Sequence, residues 1–306
     1  MKRIKCIVLL LLALQSYPAV SQHQAEKTIY INSTRFVNPL VERWISEYTA
    51  LHPDVRILPA DRSHQADVRI VAEGFREIAT SQQQEAAQVG RYALLPVTNA
   101  GNDLLDGLRK KRLNRKSLED LFFERDIWDD DEETYRSRKK YTGITVYSAE
   151  SPASLTPVFA TYFGYPPYRV KGKKILGDDI YLVSAVQKDT TGITFNALPY
   201  LFDLETRRLK DNLVILPLDL KKNYRDVLEN PDIDQALELI ENFSTDLIPV
   251  AEIRFIYQPE NTEAARFLSW IRSEGQQHNQ TYGFLASETG ENPDTDQHLS
   301  HLIQPK

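Results

Sequence analysis

The sequence predicts an α/β protein in two parts, each a mixed sheet flanked by helices, with two strands crossing between them. Three observations predict it. Short apolar runs of β-forming residues alternate with stretches of helical periodicity, the pattern of βαβ units. Two of the apolar runs contain a proline, Pro96 and Pro249, which suits a segment passing between sheets better than a central ladder strand. About 285 residues follow the leader, more than one core usually holds.

The leader comes first. Lys2, Arg3 and Lys5 precede the apolar run Ile7–Leu14, and Ala19-Val20-Ser21 has the small residues of a cleavage site. The run is too short to span a bilayer, so residues 1–21 read as a cleaved secretory signal and the mature protein as periplasmic. Cleavage takes the formal charge from −6 to −9. An acidic chain argues against a nucleic-acid partner, but not against a small anion, which is held by local dipoles rather than net charge. Cys6, the one cysteine, lies in the leader. The mature chain therefore has no disulfide, thiol nucleophile or zinc–thiolate site.

The first unit reads as strand, polar turn, helix. Thr28–Ile31 is β-rich, Asn32, Ser33 and Thr34 are turn and cap types, and Leu40, Trp44 and Tyr48 recur on one helical face beside Val41 and Ile45. The first N–H groups of such a helix point outward at the positive end of its dipole, an anion site that the Ser33 and Thr34 hydroxyls would complete. A plain cap is the alternative. Val55–Leu58 and Ala66–Ala72 are further strands, the latter ending at Glu73-Gly74. Ligands of such sheets sit beyond the carboxyl ends of the strands, where Asn32–Arg35 and Glu73–Arg76 fall.

Gln82–Gln88 reads as a polar helix, and Tyr92–Asn99 as the first crossing strand. Arg109–Arg112 with Arg115 and Lys116 forms a basic cluster without interleaved aromatics, with Glu119, Asp120 and Glu124 close behind. It reads as the solvated face of a helix buried through Leu118, Leu121 and Phe122. The acidic run Asp129–Glu133 lacks the glycine and spacing of a calcium loop.

A second strand–turn–helix follows. Gly143–Ser148 is the strand, Ser151, Ser154 and Thr156 make the turn rich in hydroxyls, and the helix runs through Val158, Phe159, Tyr162 and Phe163 to a stop at Gly164. Ser151-Pro152 and Thr156-Pro157 each read as a cap followed by proline. Two such turns facing one another would clamp an oxyanion. Asp178–Gln187 is a helix, and Ile193–Asn196 and Leu213–Leu218 are strands. Leu247–Tyr257 is the return crossing, and Asn261 or Thr262 opens a helix that Gly275 ends. Tyr282–Leu285 is a last strand or turn, and the polar, acidic stretch from Glu288 reads as a disordered tail.

The chain contains no Walker loop, nucleophile elbow, dinucleotide fingerprint or zincin motif. Its six histidines are scattered without metal-ligand spacing. No catalytic residue, metal or cofactor is expected.

In the order of these segments the chain resembles the type II periplasmic solute-binding proteins of ABC transporters, in their phosphate-binding branch. TIYINSTRFVNPLVERWISEYTALHPDVRI looks like that family's opening strand, anion loop and helix. SLEDLFFERDIWDD is similar to its segment ending in tryptophan, with Trp128 at that position. AEIRFIYQPENTEAARFLSWIRSEGQQHNQTYGFL looks like its closing hinge strand and helix, with Gly275-Gln276 at the family's Gly-Gln. The resemblance spans about Thr28 to Leu285.

It implies a type II fold with lobe 1 formed by 26–96 plus 251–286, lobe 2 by 97–250, and a tail over 287–306. It implies capture of a small inorganic anion, phosphate first, by Asn32, Ser33, Thr34, Arg35, Glu73, Ser151, Ser154 and Thr156, without covalent chemistry. The implied partner is an ABC permease or envelope sensor, met by a monomer. At the loop positions Arg35 replaces a threonine, Ala72-Glu73 replaces Ser-Asp, and Ala149–Leu155 keeps hydroxyls without the family's arginine and aspartate. Arg35, with Arg76, would then supply charge-assisted donors to the anion. The alternative is an interaction or sensory protein of the envelope that keeps the fold without tight phosphate binding.

Overall fold

The computed structural model describes residues 27–72, 83–124 and 141–288. The leader, Glu73, Arg76, Trp128, the acidic run and the tail from residue 289 lie outside them.

Nine strands form one continuous mixed sheet in the order β2-β1-β3-β9-β4-β7-β5-β6, with β8 on β4. The first wing holds β1 (Lys27–Ser33), β2 (Val55–Pro59) and β3 (Val68–Val71). β1 is parallel to both of its neighbours, and β9 (Val250–Tyr257) runs antiparallel to β3. The second wing holds β5 (Thr145–Ala149), β6 (Lys173–Ile175), β7 (Gly192–Ala197) and β8 (Leu213–Ile215). Here β5 is parallel to β6 and β7.

One strand belongs to both wings. β4 (Glu85–Asn99) pairs with β9 from Glu85 to Ala93, then with β7 from Leu94 to Thr98 and with β8 from Val97 to Asn99. Pro96 was expected to keep this strand out of a central ladder. It lies within one, opposite Phe195. The missing N–H is harmless because it falls at a seam: pairing to β9 ends at Ala93, pairing to β8 starts at Val97, and Leu94 and Leu216 donate to the Pro249 and Pro96 carbonyls on that side at 2.9 Å each. The expected helix over Gln82–Gln88 is likewise corrected, since Glu85 already starts β4. That polar stretch has too few apolar positions to anchor a helix, and the β9 edge is there to be paired.

Helix α1 (Asn38–Leu51) buries Leu40, Val41, Trp44 and Tyr48, the face read from the sequence. The Trp44 indole donates to the Gly275 carbonyl at 2.9 Å, so the helix is tied to the far end of the chain. α2 (Leu105–Lys111) and α3 (Arg115–Phe122) replace the single basic helix expected there. Arg112 takes φ 54° between them, and Asn114 caps α3 by accepting the Ser117 N–H, an alternative to helix continuation that Asn favours. α4 (Leu155–Tyr162) packs Phe159 face to face on Phe195, ring centroids 3.7 Å apart. α5 (Ile180–Lys188), α6 (Leu198–Leu201), α7 (Lys222–Glu229), α8 (Ile233–Asn242) and α9 (Thr262–Arg272) complete the layers. Asn261 caps α9 through the Ala264 N–H. Ser273 closes that helix, ahead of the Gly275 expected to end it. Among the described residues no helix is long and apolar enough to cross a membrane.

Candidate ligand-binding cleft

The parallel strands of both wings deliver their carboxyl ends to one place. A cleft of about 730 Å³ is lined by the ends of β1 and β3, the turn after β1, the β5–α4 loop, the first turn of α4, the β6–α5 loop and Tyr200 on α6. Ser33 and Ser154, one from each turn rich in hydroxyls, line the same cavity, as do Asn32, Thr34, Arg35 and Ser151. Thr156 does not. Its hydroxyl is buried and accepts the Ala149 N–H at 3.0 Å, fixing the loop from beneath. Among metal-ligating side chains of the described residues, no group of three or more converges.

The first mouth is not a simple helix start. Arg35–Val37 forms a 3₁₀ turn before α1, and neither Thr34 nor Val37 caps through its side chain. The Ser33 hydroxyl donates to Asn38 Oδ1 at 2.6 Å, and Thr34 Oγ1 accepts the Ala72 N–H at 3.1 Å. These bonds hold the turn against β3, and the Thr34 proton stays available to a ligand. Phe36 is buried below, between the rings of Tyr92, Tyr200 and Phe284.

The second mouth is already occupied by the chain itself. Ser154 is the cap, accepting the Thr156 N–H at 3.3 Å. The cap thus lies two residues before Thr156, whose proline is inside the first turn rather than at its start. The Leu155 N–H, the donor an anion would meet first, goes to both oxygens of Asp179 at 3.1 and 3.3 Å. A carboxylate at a helix N-terminus gains from the dipole. Here the carboxylate is internal.

Burial pushes the Asp179 carboxyl up to about 7; the Leu155 N–H opposes the rise and the neighbouring Asp178 adds to it. Asp178 is also nearly buried. Its Oδ2 lies 3.3 Å from Arg35 Nη1, an ion pair across the cleft, and Oδ1 accepts the Ile180 N–H. The titration of the Tyr200 phenol is driven well above the usual tyrosine range, by burial first and by the neighbouring Asp178 carboxylate second.

Four polar residues of the cleft were not picked out from the sequence: Arg69, Asp178, Asp179 and Tyr200. Arg69 sits inside β3, two residues before its carboxyl end at Val71, not at the strand end where the sequence directs attention. Asp178-Asp179 reads as a helix start like any other, and only the tertiary fold turns it toward α4.

No family model matches the chain, and no curated protein matches it in sequence. Solved structures do match. A putative phosphate ABC transporter substrate-binding protein with bound phosphate, from Clostridium perfringens, aligns with TM-score 0.55 over 86% of this chain and 100% of that one, at 15% identity. The fold is that of the type II periplasmic binding proteins. An ABC-type phosphate transport receptor from Vibrio cholerae aligns at 0.54, covering 85% and 100% of the two chains at 12% identity. PstS from Borrelia burgdorferi gives 0.51, 86% and 100%, also at 12% identity. β4 runs through both wings here, pairing with β9 in the first and with β7 and β8 in the second.

Proposed function

We propose that this chain is an exported solute-binding protein that captures a small oxyanion, of the phosphate class, between its lobes for an ABC-type uptake system, without doing chemistry on it. In this reading residues 1–21 are the signal peptide, 26–96 with 251–286 form one lobe, 97–250 the other, and 287–306 a tail. The observation that carries it is the convergence of Asn32, Ser33, Thr34, Arg35 and Arg69 from one wing with Ser151 and Ser154 from the other on a single cleft. These are hydroxyl, amide and guanidinium donors, the groups that hold an oxyanion. Hinge closure would bring the two walls onto the ligand.

The carboxylates of Asp178 and Asp179 in that cleft favour an anion that still bears a proton. A hydrogen-bearing oxyanion can donate to a carboxylate, whereas a fully ionised one leaves two acceptors facing each other. Isothermal titration of the full-length mature protein with phosphate and sulfate tests this. Saturable heat with phosphate, weakened by Arg35→Ala together with Arg69→Ala and absent with sulfate, is the expected result. No heat with either anion contradicts it.

A second reading has its own observation. Asp179 fills the α4 N-terminus and Asp178 pairs with Arg35, so two of the cleft's donors are held internally. In that reading the chain is an envelope interaction or sensory protein that keeps the fold without tight phosphate binding. Silence toward both anions, with no change on Arg35→Ala, supports it.

A further inference from the structure

The two walls of the cleft carry opposite charge. Arg35, in the turn after β1, and Arg69, within β3, line one wall, and Asp178 and Asp179 stand opposite, ahead of α5. An inorganic anion seated on Arg35 is brought close to Asp178, because that carboxylate lies 3.3 Å from the guanidinium. The repulsion this creates falls on Asp178, whose side chain is only 8% exposed, so water screens it less than at an open surface. The same carboxylates have acceptor capacity left over. A carboxylate offers about four lone-pair sites. Among the described residues, Asp179 receives the Leu155 N–H.

The size and lining of the cleft point the same way. About 730 Å³ is room for roughly twenty waters at about 30 Å³ each, far more than one tetrahedral ion fills. Phe36, Val71, Pro152 and Val158 give it apolar wall, which a bare ion cannot use and a short carbon chain can.

Resting on the reading that the cleft captures a solute, we propose that its ligand is a small organic zwitterion. The oxyanionic group sits at Arg35 and Arg69 beside Ser33, and an ammonium at the other end sits against Asp178 and Asp179. The ammonium takes over the role that Arg35 plays toward Asp178. This frees the guanidinium for the oxyanion, so one exchange of partners serves both ends of the ligand.

A matched pair of probes separates this from plain anion capture. 2-Aminoethylphosphonate and ethylphosphonate differ in the ammonium alone, and both are titrated calorimetrically into the mature protein alongside phosphate. The expected result is a gap of about tenfold or more in favour of the amino compound, the scale of a close charge pair shielded from water. Asp178→Asn keeps an acceptor for the Ile180 N–H and narrows the gap to about threefold or less, whichever way the absolute affinities move. Equal affinity of the two phosphonates for the wild-type protein overturns ammonium recognition and leaves solute capture standing. If neither phosphonate nor phosphate binds, solute capture itself fails.

Discussion

Asp179 carries the most information of any single residue here. It is 7% exposed and holds the first N–H of α4, yet burial raises its carboxyl from 3.8 to about 7. A carboxyl raised on folding binds more protons in the folded state than in the unfolded state between these two values. Stability therefore falls as pH rises from about 4 to about 7, by roughly 1.4 kcal/mol per pH unit, and is level on either side. Asp179→Asn removes that dependence. Urea denaturation at pH 5 and pH 7 should show the wild type losing about 2 kcal/mol relative to the variant; parallel losses would mean that the carboxyl titrates normally. Arg35 belongs at this scale too. Its side chain is 74% exposed, so its pair with Asp178 adds little to stability. Its place at the mouth is what matters for a ligand. The hydroxyls of Ser33 and Ser154 were legible in the sequence as a pair because each falls in a polar turn between a strand and a helix. Thr156 was misread because a hydroxyl can face into the protein as readily as out of it, and periodicity cannot tell which.

At the scale of elements, strands and helices with a single apolar face were the easy part. The face of α1 follows from spacing alone, and its burial confirms it. Trp44 is fully buried and bonded to Gly275. Trp44→Ala should cost about 3–5 kcal/mol by loss of transfer energy and the cavity left behind, read as a lower urea midpoint with an unchanged slope. A cost under about 1 kcal/mol would mean that α1 is seated elsewhere. β4 was harder to read. Its first residues are polar and alternate weakly, and the partner that makes them a strand, β9, lies far along the chain. Pro96 misled for a related reason. A proline excludes a ladder hydrogen bond on one side only, and which neighbour stands there is a tertiary fact. The break between α2 and α3 rests on one left-handed residue, Arg112, a conformation that residue type does not announce.

For the whole molecule, the order of segments identified the fold before any single motif did, and the matching structures share it at 12–15% identity. Such likeness fixes the architecture and leaves the ligand to the side chains. Those side chains differ in kind from the two donor-lined turns expected from the sequence. One turn offers donors, and the other has its helix start already held by a carboxylate, Asp179, that reaches it from the β6–α5 loop. The charge complementarity across the cleft was invisible in the sequence because Asp178-Asp179 and Arg35 are remote in the chain and meet only when the wings fold back on one another. Native mass spectrometry of freshly purified mature protein tests capture between the wings most directly. A bound solute should appear as a small noncovalent mass excess on the wild type, absent when Arg35→Glu and Arg69→Glu are combined. A wild type at its bare mass, or a double variant that keeps the same excess, would contradict solute capture in this cleft.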